Sequence, residues 1–415
     1  MNTQPNLNPH VLRTQFPALQ QKANGRPAIY LDGPGGTQTP QSVIHAMQQT
    51  LTDGISNTGG PFLTSHRAAE ITRAARQAMA DMLNAQPNEI AFGQNMTSLT
   101  MNFSRALART WQSGDNIIIT RLDHDANIAP WLLAAEDRGV QVQWLDFDPT
   151  NCTLRLDTLP DLLNNKTRLL AITHASNAVG SIPDVAQAVK MTHQVGALVY
   201  VDAVHYSPHG LLDVQALNCD FLACSAYKFF GPHTGILYGK YDIMETIPAY
   251  KVRPAPKHTP GKWETGTQSF ESLAGVTAAV NYIASLGEGS TRREQIVSAM
   301  KRIKSYEMAL SEQFLRGATA VPGLRVYGIT DIEQLDQRTP TFAVSLEGYT
   351  PAELSARLGE QGIFVWDGDY YAIAVMERLD LLDKGGLVRI GFVHYNTPDE
   401  VDAVLAALTQ MAEER

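Results

Sequence analysis

Two stretches near the middle of the chain hold residues able to do covalent chemistry on a carbonyl. Residues 225–239 read SAYKFFGPHTGILYG and residues 199–210 read VYVDAVHYSPHG. The first sets Lys228 between aromatic residues and a glycine-containing turn, and the second ends an apolar run on Asp202. In open sheets built from alternating strands and helices, ligands collect beyond the carboxyl ends of the strands. Asp202, closing ALVYVD, and Lys228, just after FLACSAY, both fall there. A lysine at the end of a buried strand loses the hydration of its charged form, and the neutral amine that results can form a Schiff base. A carboxylate facing a pyridine nitrogen keeps that nitrogen protonated and makes the ring an electron sink. The pair therefore suits pyridoxal 5'-phosphate, although on spacing alone a surface lysine and a helix-capping aspartate fit equally well.

An anion site can be argued in the same way. The segment GQNMTSL joins the strand candidate EIAFGQ to the helix candidate SLTMNFSRALARTW. The amides of Met96 and Thr97 would then lie at a helix N-terminus, where unpaired donors and partial positive charge favour a phosphate, and Thr97 adds a hydroxyl. A plain helix cap is the alternative.

These residues need a scaffold, and the chain has the length and patterning for one. It has 415 residues, 44% of them hydrophobic and 18% charged, enough for a large core and about two domains. The formal net charge of -9, without a basic block, argues against a nucleic-acid partner. The longest apolar runs, such as NIIIT and VGALVYV, are too short to span a bilayer, and the N-terminus lacks the pattern of a signal peptide. A cytoplasmic protein without a membrane partner is the expectation. Cys152, Cys219 and Cys224 are odd in number and lie in or beside apolar segments, so they read as reduced core residues rather than disulfides or metal ligands.

Strands are expected at EIAFGQ, NIIIT, VQVQWL, LLAITH and ALVYVDA, separated by helical segments, which implies a mostly parallel sheet covered on both faces. A Pro- and Gly-containing loop at RPAPKHTPGKWETGTQ precedes one long helical stretch over 271–318. Further strands are expected at LRVYG, TFAVSLE, GIFVWDG and GLVRIGF.

With these segments in order, the chain resembles the class V family of pyridoxal-phosphate enzymes, the cysteine desulfurases in particular. The resemblance is carried by YLDGPGG, DHDANIAPW, THASNAVGSIPDV, VDAVH, SAYKFFGPHTG, ETGTQ and VRIGFVHYNTPDEV. It implies the type I fold, an α/β architecture with a large domain built on a mainly parallel seven-stranded sheet and a smaller α+β domain. The expected division is an N-terminal segment over 1–29 packing with the small domain, a cofactor-binding domain over 30–275, and a linking helix with the small domain over 276–415. It also implies a homodimer with shared active sites.

By the same resemblance, Lys228 would hold the cofactor covalently and move the substrate's α-proton, while Asp202 would pair with the pyridine nitrogen. His124 would stack on the ring and exchange a proton with the leaving group, and Asn177 would lie near the phenolic oxygen and the substrate. His205 stands where desulfurases commonly carry Gln, and it resembles the histidine in the Asp-x-x-His of epimerase and kynureninase relatives. Ser225 would donate to the phosphate, and Thr267 would do so from the partner subunit. Tyr227 replaces the family's usual histidine and would offer its phenol to the cofactor. Arg389 would clamp the α-carboxylate, its paired donors suiting a bidentate contact. Gly35 and Gly36 could bring backbone close to that carboxylate, or could simply form a tight turn.

One departure bears on the reaction. In FVWDGDYYAIAV, Tyr371 or its neighbour Tyr370 falls where desulfurases place the sulfur-accepting cysteine, and no cysteine follows Cys224. A phenol cannot carry a persulfide. The preferred expectation is a carbon–sulfur β-lyase acting on a small-molecule amino acid, with release of pyruvate and ammonia. An aminotransferase, an amino-acid epimerase and a catalytically silent cofactor-binding protein follow in that order.

Overall fold

The computed structural model describes residues 7–414. Its main sheet has seven strands: Ile90–Gly93 (β1), Asn116–Thr120 (β2), Gln141–Leu145 (β3), Thr167–Thr173 (β4), Leu198–Asp202 (β5), Phe221–Ser225 (β6) and Gly235–Gly239 (β7). The spatial order is β1-β7-β6-β5-β4-β2-β3. All neighbours pair in parallel except β7, which runs antiparallel to both β1 and β6. The sequence reading named five of these strands, took FLACSAY only as the buried run ending at Lys228, and passed over GILYG. That short run, bounded by glycines, supplies the one antiparallel strand of the sheet. Strands β2, β6 and β7 are buried at every residue, as expected for a sheet covered on both faces.

A second sheet has four antiparallel strands, Leu324–Tyr327 (β8), Thr341–Leu346 (β9), Trp366–Gly368 (β10) and Leu387–Gly391 (β11), in the order β8-β9-β11-β10. The expected single strand at GIFVWDG is two pieces. Ile363–Phe364 pairs in parallel with Ile29–Tyr30, and only the following β10 joins the second sheet. This split ties the start of the chain to the segment from which the loop over 369–371 departs.

The helical stretch expected over 271–318 is also two elements, Phe270–Ser285 (α1) and Arg292–Ala318 (α2). The break follows from local chemistry. Residues 287–290 read GEGS, and a Cβ on Gly287 would stand 2.1 Å from the Gln295 carbonyl oxygen and 2.4 Å from the Ala299 amide nitrogen. Thr291 then starts a new helix through a reciprocal cap with Glu294. Helix α2 spans both cores: Ile296, Ala299, Met300 and Ile303 pack with the large one, and Leu310, Phe314 and Leu315 with the apolar cluster of the second sheet.

Because the carbonyl and amide that Gly287 approaches belong to α2's own backbone, nothing can rotate aside. Gly287→Ala should lower stability to urea by about 1–3 kcal/mol. Gly359→Ala, at a helical position where a Cβ meets nothing within 4 Å, should be neutral or slightly stabilising.

Candidate active site

The lysine loop is built by the strand it follows and by a clamp from the N-terminal segment. Strand β6 ends at Ser225 and the chain turns at once through Ala226–Lys228, closed by the Gly231 amide donating to the Ala226 carbonyl at 2.9 Å. The Thr37 amide and hydroxyl both donate to the Tyr227 carbonyl at 3.1 Å, and the Phe230 amide donates to Thr37 Oγ1 at 2.8 Å. Lys228 Nζ donates to the Pro34 carbonyl. Burial, with the Arg389 guanidinium adding to it, presses this amine down to about 7, against the opposite pull of Asp202. A good part of it is therefore neutral near pH 7, as attack on an aldehyde requires.

Asp202 ends β5 in the neighbouring parallel strand, where the Val204 amide donates to Oδ1 at 2.8 Å and turns the chain. Burial pushes its carboxyl up to about 6. His124 lies at the start of a short turn, and the Ala126 amide donates to its Nδ1 at 2.9 Å. That bond makes Nδ1 the acceptor and leaves the proton of the neutral ring on Nε2. Burial, then the charges of Lys228 and Arg389, drive the imidazole down to about 3, so the ring stays uncharged.

Lys228, His124 and Asn177 stand in the wall shared by two adjoining cavities. The inner one, about 570 Å³, is also lined by Met96, Thr97, Asp202, His205, Ser225, Tyr227 and Gly35. The Met96 amide, expected to face an anion, donates instead to Ser225 Oγ at 2.9 Å. That bond uses Ser225 Oγ as acceptor and leaves its hydroxyl proton for another partner, such as a phosphate would be, beside Thr97 at the start of the helix Met96–Leu107. His205 is held by Thr341 Oγ1 at 3.0 Å and Thr339 Oγ1 at 3.2 Å. Tyr227 stacks on His233 with ring centroids 4.9 Å apart.

The outer cavity, about 760 Å³, adds Arg389, Tyr370, Tyr371, Trp366 and the aspartates Asp125, Asp367 and Asp369. Arg389 comes from the interior strand β11 and is 5% exposed. Its Nη1 donates to the Asn177 carbonyl at 2.9 Å, its Nε has no partner among the described residues, and its guanidinium lies 4.5 Å from the Tyr370 ring centroid. Asn177 Nδ2 donates to the Tyr370 carbonyl at 2.9 Å, and its Oδ1 is unpartnered. Tyr370 and Tyr371 both have φ of 56°, a left-handed pair of non-glycine residues at the cavity wall. Tyr371 is exposed and stacks over His124 at 5.6 Å.

Two expected residues lie elsewhere. Gly36 packs against the Tyr227 ring, where a Cβ would stand 3.1 Å from Cδ2, and it lines neither cavity. Thr267 is exposed and outside both cavities of its own chain. The sequence reading also missed Asp123. Its carboxylate is buried and accepts from Thr120 Oγ1, from Asn127 Nδ2 at 2.7 Å and from the Thr173 amide at 3.0 Å. Burial pushes it up to about 8, and nearby Asp202 pushes the same way. The residue stands in the motif DHDAN, directly before His124.

These groups fit pyridoxal 5'-phosphate: an amine of lowered basicity, a buried strand-end carboxylate, a hydroxyl and helix N-terminus for an anion, and an open amide oxygen. Ser225→Ala should weaken pyridoxal 5'-phosphate binding by roughly tenfold or more, the value of a charge-assisted hydrogen bond. Affinity for phosphate-free pyridoxal should stay within about twofold, and equilibrium dialysis of the two ligands separates the outcomes.

Comparison with known proteins agrees with this geometry. The family description "Aminotransferase class-V" matches residues 29–404. A cysteine desulfurase of Cronobacter sakazakii is 31% identical, covering 96% of this chain and 97% of its own length. A probable cysteine desulfurase of Synechocystis is 29% identical over 96% of this chain and 94% of its own. Among solved structures, the cysteine desulfurase CsdA of Escherichia coli superposes with a TM-score of 0.84 at 28% identity, over 98% of this chain and 99% of that one. The cysteine desulfurase of Thermococcus onnurineus superposes at 0.87 with 24% identity over the full length of both, a likeness of fold. The mixed sheet is accordingly that of the type I fold, and the chain belongs to the class V aminotransferase family of pyridoxal-phosphate-dependent enzymes.

Proposed function

We propose that the protein is a carbon–sulfur β-lyase that converts an S-substituted cysteine and water into a thiol, pyruvate and ammonia. The observation that carries this reading is the absence of a thiol from the cavity walls. All three cysteines are buried, and none lines either cavity. Burial holds Cys152 and Cys219 up at about 12 and raises Cys224 as well, so none offers a thiolate to accept sulfur. The wall of the outer cavity carries Tyr370 and Tyr371 instead.

In this reading Arg389 holds the substrate carboxylate and fixes the α-carbon near Lys228. When bound, pyridoxal 5'-phosphate supplies the electron sink for the pair left behind as the α-proton departs. Lys228 takes that proton, and Asp202 keeps the ring nitrogen protonated. His124 offers its Nε2 proton as a hydrogen bond to the departing sulfur, and being neutral it works by polarisation rather than as an imidazolium acid. The C–S bond breaks with its electron pair on sulfur, and water then replaces nitrogen on the three-carbon product. His205 lines the inner cavity and is not among the residues lining the outer one, which favours elimination over an epimerase role for it. Thr267 reaches the phosphate of a second copy of the chain, completing a shared site in a homodimer.

The test is a product screen on the cofactor-loaded enzyme with cysteine, cystine and S-alkyl cysteines. Pyruvate and ammonia should appear in equal amounts with no protein-bound persulfide. His124→Ala should lower kcat/KM by about 100-fold with a smaller effect on cofactor affinity. Lys228→Ala should lose all cofactor fixed to protein by borohydride. Stoichiometric alanine with a persulfide on Cys152, Cys219 or Cys224 would overturn the reading in favour of a desulfurase. Rapid half-transamination without pyruvate would favour an aminotransferase.

A further inference from the structure

We propose that the outer cavity selects amino acids with a cationic side chain, so that S-aminoalkyl cysteines are preferred among thioether substrates. This rests on the reading of Arg389 as the carboxylate clamp and adds what lies at the other end of the ligand. Three aspartates are among the residues lining that cavity: Asp125 and Asp369, which lie near each other, and Asp367, whose carboxylate is bonded by Ser355. Their bonded neighbours are uncharged: Asp367 accepts from Ser355 Oγ at 2.6 Å and Asp369 from the Tyr371 amide at 2.8 Å. Asp125 is half-buried, and its carboxyl is raised by burial and by the charge of Asp369, so these two acids repel one another.

The opposite polarity is found on two buried side chains of the same cavity. Arg389 is 5% exposed with Nε unpartnered, and Tyr370 is 8% exposed with its hydroxyl unpartnered. Both groups can donate to a carboxylate, and both donor atoms are buried without a partner among the described residues. A ligand that satisfies the whole wall carries a carboxylate for Arg389 and Tyr370 and a positive charge for the aspartates. An α-amino acid ending in an ammonium group has both. An uncharged side chain of the same length leaves the acids facing one another.

L-Lysine and L-norleucine separate these cases, because neither has a leaving group on its β-carbon and binding is read without elimination. In calorimetric titration of the cofactor-loaded enzyme, L-lysine should bind about tenfold or more tightly than L-norleucine, a preference that shrinks as salt rises. In an Asp125→Asn/Asp369→Asn double variant, the ratio should fall to within about twofold. Asparagine keeps the acceptor for the Tyr371 amide, and retained cofactor absorbance reports an intact site. Equal or weaker binding of L-lysine, no binding of either amino acid, or a ratio that survives the double substitution would overturn the proposal. Pyruvate assays with S-aminoethyl-L-cysteine and S-propyl-L-cysteine keep the two readings apart. A lysine preference with no pyruvate from either thioether would remove the lyase and leave the selectivity, whereas equal turnover of both would do the reverse.

Discussion

The site depends on one lysine amine held out of water at the carboxyl end of a buried strand. Among the described residues Lys228 has no carboxylate at bonding distance; its Nζ is held by the carbonyl of Pro34. Desolvation therefore outweighs the attraction of Asp202, and the amine loses much of its basicity. Several features of the scaffold serve that one condition. The turn Ala226–Lys228 begins where β6 stops, and the N-terminal segment closes over it through Thr37 and Pro34. The pairing of Ile29–Tyr30 with Ile363–Phe364 ties the start of that segment to the strand before the Tyr370 loop. Covering the lysine and shaping the outer cavity are in this way one structural act.

The same burial acts on several titratable groups nearby, with a sign set by chemistry. It pushes Asp202 and Asp123 up and His124 down, so the cavity holds less charge than its residue types suggest. A ligand with an anionic phosphate, a protonated ring nitrogen and an aldehyde supplies a partner for each group that burial has left short. Arg389 differs in degree, because a guanidinium remains charged even when burial lowers it to about 10. It can thus serve as a permanent carboxylate site beside an amine that is free to lose its proton.

Much of this was legible in the sequence. Asp202 and Lys228 stood out because each ends an apolar run, and a βα alternation puts such residues at one edge of a sheet. Arg389 was visible through the segment around it. Features set by backbone contact were hidden. Strand β7 is five residues long and sits between glycines, with no alternation to mark it. The break between α1 and α2 depends on how closely Gly287 approaches the Gln295 carbonyl, and apolar periodicity on either side conceals it. The commitment of the Met96 amide to Ser225 joins residues 129 positions apart. The left-handed pair Tyr370 and Tyr371 brings an unpartnered phenol against Arg389 through a loop whose residue types do not specify it.

The central claim, that burial, with the Arg389 charge adding to it, makes Lys228 reactive, is tested most directly by titrating its amine in the cofactor-free protein. The pH dependence of its reductive methylation, read at the Lys228 peptide by mass spectrometry, should give a midpoint near 7, with labelling fast above it and suppressed below it. A midpoint at the ordinary lysine value of 10.5 would contradict the account, because the amine would then be charged at neutral pH and burial would not have set its chemistry.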